Sequence, residues 1–218
     1  MKNELVSSLA ETIFDNSSDI GIDFLEIALD EIIENETIKE IPIIGSIVKL
    51  SKTAIAINDR RLIKKLLIFT QKINAGNIPK EKIEKHRKEL EENSKRKQRE
   101  LEYIIAILDK QIEYEKSNIL AKFYMAYLKE HISWERFCCF SDLVDRLVLY
   151  DWDLLKEIYD KYSFGEKEAP DVAQMSRLNS LGLVQYFNGT VVMVGKNKSI
   201  RGRISCEGKV FCECLFDE

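Results

Sequence analysis

Histidine, proline and glycine are scarce in this chain: its 218 residues include two, three and nine of them, respectively. With His86 in a charged stretch and His131 at the end of an expected helix, Ser-His-Asp or Cys-His catalysis would depend on one of two poorly placed imidazoles. Neither Gly-x-x-x-x-Gly-Lys-Ser/Thr nor Gly-x-Gly-x-x-Gly follows an expected strand, which excludes both common phosphate-cradling loops. The low glycine and proline content excludes a collagen-like or linker-like chain, and 45% hydrophobic residues is too many for a disordered one. No apolar run approaches the roughly 20 residues of a membrane-spanning helix. The most apolar stretch, 41–57, is interrupted by Lys49 and Lys52. The opening MKNELVSSLAETIF carries acids where a secretory leader carries bases. These absences lead us to expect a cytoplasmic, non-enzymatic protein with no cofactor and with its five cysteines reduced.

Net charge is also small, at -4, yet it conceals an uneven layout. Residues 1–40 carry 2 basic and 11 acidic side chains, 41–99 carry 16 and 6, 100–169 carry 9 and 15, and 170–218 carry 6 and 5. Blocks of alternating sign suit helices that lie against one another, and they also suit a basic face kept for an anionic partner.

Helical periodicity dominates up to about residue 162. The cluster Asp15, Asn16, Ser17, Ser18, Asp19 ends a first short helix, and a second is expected over about 20–34, with Ile20, Phe24, Ile27, Ala28 and Ile32 on its apolar face. Pro42 suits a first helical turn. From it a buried central helix is expected to run to about residue 74 on the seam Ile44, Val48, Ser51, Ile55, Asn58, Leu62, Leu66, Phe69, Ile73. Ser51 and Asn58 would then be small buried polar groups. Lys49, Lys52, Arg60 and Lys64 fall on the opposite side, forming a basic stripe for an anionic partner or an anionic membrane surface. After the turn at 74–79, a charged helix is expected over about 80–115. Its segment 80–102 has 16 charged residues out of 23 and reads as a solvated arm that docks from Leu101 onward. Short amphipathic helices follow, with Ser133 and Asp151 as N-caps.

The stretch 163–170 is the best linker, which places a helical body at 1–163 and a smaller module at 164–218. Asp171 and Gln174 have capping-box-like spacing, Gly182 ends the helix they open, and Asn188-Gly189 between Val/Tyr/Phe-rich runs is a strong hairpin signal. Ile200 to Ser205 reads as a further strand and Cys206 to Phe216 as a last helix or strand. Cys138 and Cys139 point roughly 100° apart on a helix. Cys206, Cys212 and Cys214 lack Cys-x-x-Cys spacing, so burial as small hydrophobes is expected and a metal site is not.

The run MSRLNSLGLV, the hairpin, the basic loop and ISCEGKVF resemble a winged-helix module over about a quarter of the chain. That resemblance implies a recognition helix at 172–181, presenting Ala173, Arg177 and Ser180, and a wing bearing Lys196, Lys198, Arg201 and Arg203. DNA is then a candidate partner, with the same scaffold used for protein contacts as the alternative. The segment IPIIGSIVKLSKTAIAINDRRLIKKLLIF is similar to one in uncharacterised bacterial and prophage-type proteins, which implies a bacterial or phage setting, one of phage–host conflict, and no particular chemistry. The expected architecture is mainly α, a multi-helix body carrying an α+β winged-helix-like module. The expected function is that of an interaction or regulatory protein with a protein partner or a second copy of itself. A DNA-binding regulator and a membrane-acting effector are the alternatives.

Overall fold

The computed structural model describes residues 2–15, 23–50, 56–161, 172–186 and 202–216. The fold is mainly α, with a single two-stranded antiparallel sheet among the described residues. None of its described helices is long and apolar enough to cross a membrane. The chain divides into two compact units, Met1–Phe137 and Cys138–Glu218.

In the first unit, α1 (Lys2–Phe14) packs along α4 (Pro42–Leu50). Ser8 and Ser46 share a hydrogen bond, and the Thr12 hydroxyl accepts from Ile43 N at 3.1 Å, so small polar side chains stitch an otherwise apolar contact of Leu9, Ile13, Ile44 and Ile47. Between them lie α2 (Leu29–Glu34) and α3 (Glu36–Lys39), the latter capped by Asn35, whose Oδ1 accepts from Thr37 N and Ile38 N. The helix expected over 20–34 is much shorter. Asp23 Oδ1 takes Leu25 N at 2.8 Å in a side-chain turn that competes with helix, and Phe24 is buried from a turn.

The central helix also differs from expectation. Pro42 does open α4, described as Pro42–Leu50, but a separate helix, α5 (Ile57–Ala75), follows Ala56, whose extended backbone (φ −63°, ψ 155°) is incompatible with one continuous helix. Ser51, Lys52 and Ile55 lie outside the described residues. Asn58, expected in the buried seam, is exposed in the first turn of α5. Every residue from Ile63 to Thr70 is buried, because α5 is covered by α2, by α7 (Ser94–Lys110) and by α8 (Glu115–Leu128).

The expected arm over 80–115 is two helices, α6 (Lys80–Glu92) and α7, broken at Asn93 (φ −125°, ψ 85°). Asn93 Oδ1 caps α7 by accepting from Arg96 N at 3.0 Å. The break lets α6 fold back on α7 and reach α1 and α8, so His86 and Leu90 are buried where a solvated arm was expected.

The second unit contains most of α9 (Trp134–Arg146), then α10 (Trp152–Lys161), α11 (Val172–Ser180), β1 (Val184–Tyr186), β2 (Gly202–Ile204) and α12 (Cys206–Phe216). The division falls inside α9, near residue 137 rather than 163, because α10 joins the C-terminal helices: the Phe216 ring lies 5.3 Å from Trp152 and 5.9 Å from Tyr159, and Phe140 meets Phe211 at 5.2 Å. Gly182, at φ +74°, ends α11 in a left-handed turn closed by Leu183 N to Leu178 O and Gly182 N to Asn179 O. Val184 pairs with Ile204 and Tyr186 with Gly202. Asn188-Gly189 lies outside the described residues.

Candidate functional site

In the first unit the polar side chains converge on Glu100. Glu100, Ile104, Ile107 and Leu108 share the buried face of α7, so a carboxylate occupies the first core position of an apolar stripe and is only 2% exposed. His86 and Leu90 form the matching i, i+4 pair on α6, and Tyr124 and Tyr127 an i, i+3 pair on α8. Glu100 Oε1 accepts from Tyr124 OH at 2.8 Å and lies 2.7 Å from His86 Nε2. Its Oε2 accepts from Tyr127 OH at 3.1 Å. Arg96 lies one turn before Glu100, donating from Nη2 to Tyr127 OH (3.1 Å) and from Nη1 to Glu89 (2.9 Å), with its Nε 3.9 Å from Glu100.

This environment shifts the phenols strongly. Burial, reinforced by the Glu100 charge, holds the Tyr124 hydroxyl well above the ordinary tyrosine range. The same two causes raise Tyr127 to about 12, against the opposing pull of Arg96. The Arg96 guanidinium is raised chiefly by its bond to Tyr127. His86 is enclosed by the rings of Phe14 (5.9 Å) and Tyr127 (5.2 Å) as well as by Glu100. A carboxylate bonded to His86, Tyr124 and Tyr127 ties three helices together.

Next to this network a cleft of about 620 Å³ opens, lined by Lys95, Arg96, Arg99, Tyr127, Trp134 and Glu135, with Glu100 and Asn93 at its border. Trp134 is half-buried and fixed by neighbouring rings: Tyr103 at 5.5 Å, Tyr127 at 5.4 Å and Phe137 at 5.1 Å. Ser133 acts as the expected cap, accepting from Arg136 N at 3.3 Å. Glu135 is held below the ordinary carboxylate range by its own backbone N–H first and then by the Ser133 hydroxyl.

Five of the cations singled out from the sequence, Lys49, Arg60, Lys64, Arg177 and Arg203, lie among the described residues. Of the central stripe, Lys49 is exposed and Lys52 lies outside the described residues. Arg60 pairs with Asp30. Lys64 is 6% exposed, donating to the carbonyls of Leu25 (3.0 Å) and Ile27 (2.7 Å) and lying 4.7 Å from the Tyr114 ring centre. Helical phase placed Lys64 opposite the seam, but α5 is enclosed on that side as well.

In the second unit, Arg177 is half-exposed and engages an internal carboxylate. Its Nε and Nη2 donate to the two oxygens of Asp151, at 2.7 and 2.6 Å, and Asp151 is fully buried. Asp151, expected as an N-cap, thus serves as the counter-ion of α11. Arg203 is exposed and donates to Gln185 Oε1 across the strand pair at 3.2 Å. Lys196, Lys198 and Arg201 lie outside the described residues.

Cys212 is buried, Cys138 and Cys214 are half-buried, and Cys139 and Cys206 are exposed. Among the described residues no group of three or more His, Cys, Asp or Glu is placed to hold a metal ion. Sequence reasoning missed the Glu100 network because a run of charge hid it. The available signal was the spacing that places Glu100 in phase with Ile104 and His86 in phase with Leu90. No protein-family model, curated protein or solved structure matches the chain.

Proposed function

We propose that the protein is a non-enzymatic interaction protein, regulatory in kind, whose first unit receives an anionic partner in the cleft between Lys95, Arg99 and Trp134. The observation that carries this reading is the distribution of charge partners. Along α6 and into α7 the cations are mostly neutralised locally: Lys82 and Lys85 by Glu130, Arg87 by Asp15 and Glu91, Lys88 by Glu84, and Arg96 by Glu89. Lys95 and Arg99 are exposed at the cleft and join no salt bridge among the described residues. Internal pairing therefore accounts for much of the basic block; Lys49, Arg61 and Lys80 are also exposed without a salt bridge among the described residues, but Lys95 and Arg99 are the two such cations that share a cleft.

The resemblance of the central segment to bacterial and prophage-type proteins supports a setting in phage–host conflict. The test is partner capture at rising salt, with the wild type and with Lys95→Glu/Arg99→Glu. Capture that weakens with salt and is lost in the charge-reversed variant, with helical content unchanged by circular dichroism, supports the reading. Equal capture by both proteins refutes it.

A further inference from the structure

The cleft carries more than positive charge, and its combination of groups narrows the ligand. On the assumption that this cleft is the partner-binding site, we infer that it takes a nucleotide, with the base against Trp134 and the phosphate at Lys95 and Arg99. Its volume, about 620 Å³, is that of a small-molecule site. One wall is an indole held in place by Tyr103, Tyr127 and Phe137, so a flat ring stacking there meets a surface that is already ordered. The cations sit in the opening turns of α7, a 17-residue helix with no acid in its first turn, so the helix dipole adds to the attraction for phosphate.

A carboxylate at the rim distinguishes a nucleotide from an acidic peptide. Glu135 lines the cleft on the aromatic side, where it would repel a second carboxylate but accept a hydrogen bond from a base amine or a sugar hydroxyl. Glu100 is only 2% exposed and already engaged by Tyr124, Tyr127 and His86, which leaves the recognition to the rim. An acidic peptide would satisfy Lys95 and Arg99 while leaving Trp134 unused and Glu135 opposed. A free nucleotide and one unit of a single strand present the same chemistry here.

The chain has two tryptophans, so Trp152→Phe makes Trp134 the sole indole reporter. Into that protein ADP, a short oligo-dT strand, pyrophosphate and hexaglutamate are titrated separately. Saturable quenching of Trp134 by ADP or oligo-dT, with a dissociation constant below about 1 mM, is expected. Pyrophosphate is expected to bind at least about tenfold more weakly, because it lacks a ring to stack. Lys95→Ala/Arg99→Ala should weaken the nucleotide at least about tenfold, and Lys95→Arg/Arg99→Lys should restore most of the loss. Binding by oligo-dT alone assigns the site to a strand, and by ADP alone to a free nucleotide. Quenching that ignores the alanine variant overturns the inference. Hexaglutamate binding sensitive to that variant, without any nucleotide binding, overturns the nucleotide and leaves the anionic-partner reading intact. No binding by any of the four probes overturns the nucleotide, while the anionic-partner reading stands or falls on the capture experiment.

Discussion

Removing the Glu100 carboxylate tests whether the buried network holds the first unit together. In Glu100→Ala, the Tyr124 hydroxyl, fully buried, and the His86 imidazole, nearly so, lose their shared acceptor. Each orphaned buried donor costs about 1–3 kcal/mol. The Tyr127 hydroxyl borders the cleft and can turn to solvent, so it adds little. With two donors stranded, the expected loss is about 2–6 kcal/mol, a large part of the roughly 5–15 kcal/mol margin of an ordinary domain.

Glu100→Gln should cost only about 1 kcal/mol, because its amide oxygen still accepts from Tyr124 and His86 while its NH2 group faces the Tyr127 oxygen. The sharper comparison is Tyr124→Phe in two backgrounds. In the wild type it removes a made hydrogen bond and destabilises by about 1 kcal/mol, whereas in Glu100→Ala it removes a stranded hydroxyl and stabilises. Urea unfolding followed by Trp134 fluorescence in a Trp152→Phe background reads the first unit, to which Trp134 belongs. A Glu100→Ala loss below about 1 kcal/mol, or the same sign for Tyr124→Phe in both backgrounds, would refute the argument.

Three further outcomes are expected. The folded state keeps the Tyr127 proton up to about pH 12 while an unfolded tyrosine loses it near 10.0, so the folded state binds more protons in that window and stability falls as pH rises through it; Tyr127→Phe should flatten that fall, and tyrosinate absorbance should show Tyr124 and Tyr127 ionising last. Arg177→Ala leaves the buried Asp151 carboxylate without its bidentate partner and should destabilise the second unit by about 2–3 kcal/mol, less than for a fully buried pair because Arg177 is half-exposed; Asp151→Asn/Arg177→Ala should recover part of the loss in thermal unfolding. Gly208→Ala would drive a methyl group into the backbone carbonyl of Leu183, so α12 must shift from β1 at a cost of about 1–3 kcal/mol, seen as a lowered melting temperature of the second unit.

Local rules were legible in the sequence wherever a single residue decides an element. Pro42 opens α4, Ser133 caps α9, Gly182 closes α11 in a left-handed turn, and the strand expected at 200–205 is present as β2. What escaped is what depends on coverage from several sides. The 3–4 residue seam runs through both α4 and α5, so periodicity could not reveal that Ala56 is extended between them. Lys64 reads as surface by helical phase, yet α5 lies under α2 and α8 on that side too, and the lysine's long stem carries its amine to the carbonyls of Leu25 and Ile27. Charge density marked 80–102 as solvated, whereas the break at Asn93 gives α6 a partner and buries His86 and Glu100 together. The cleft draws its lining from the start of α7, the end of α8 and the start of α9, so no motif in the linear sequence announces it.

The two adjacent buried lysines offer a clock on the first unit. Lys64 and Lys65 are 6% and 4% exposed, and their amines are tied to backbone carbonyls, Lys65 to that of Asp109 at 2.8 Å near the end of α7. Burial lowers both pKa values, and the same burial keeps an amine-selective acylating reagent away from both groups. Their acylation rate therefore measures how often α5 separates from the loop before α2 and from the end of α7, while surface lysines such as Lys95 react at once.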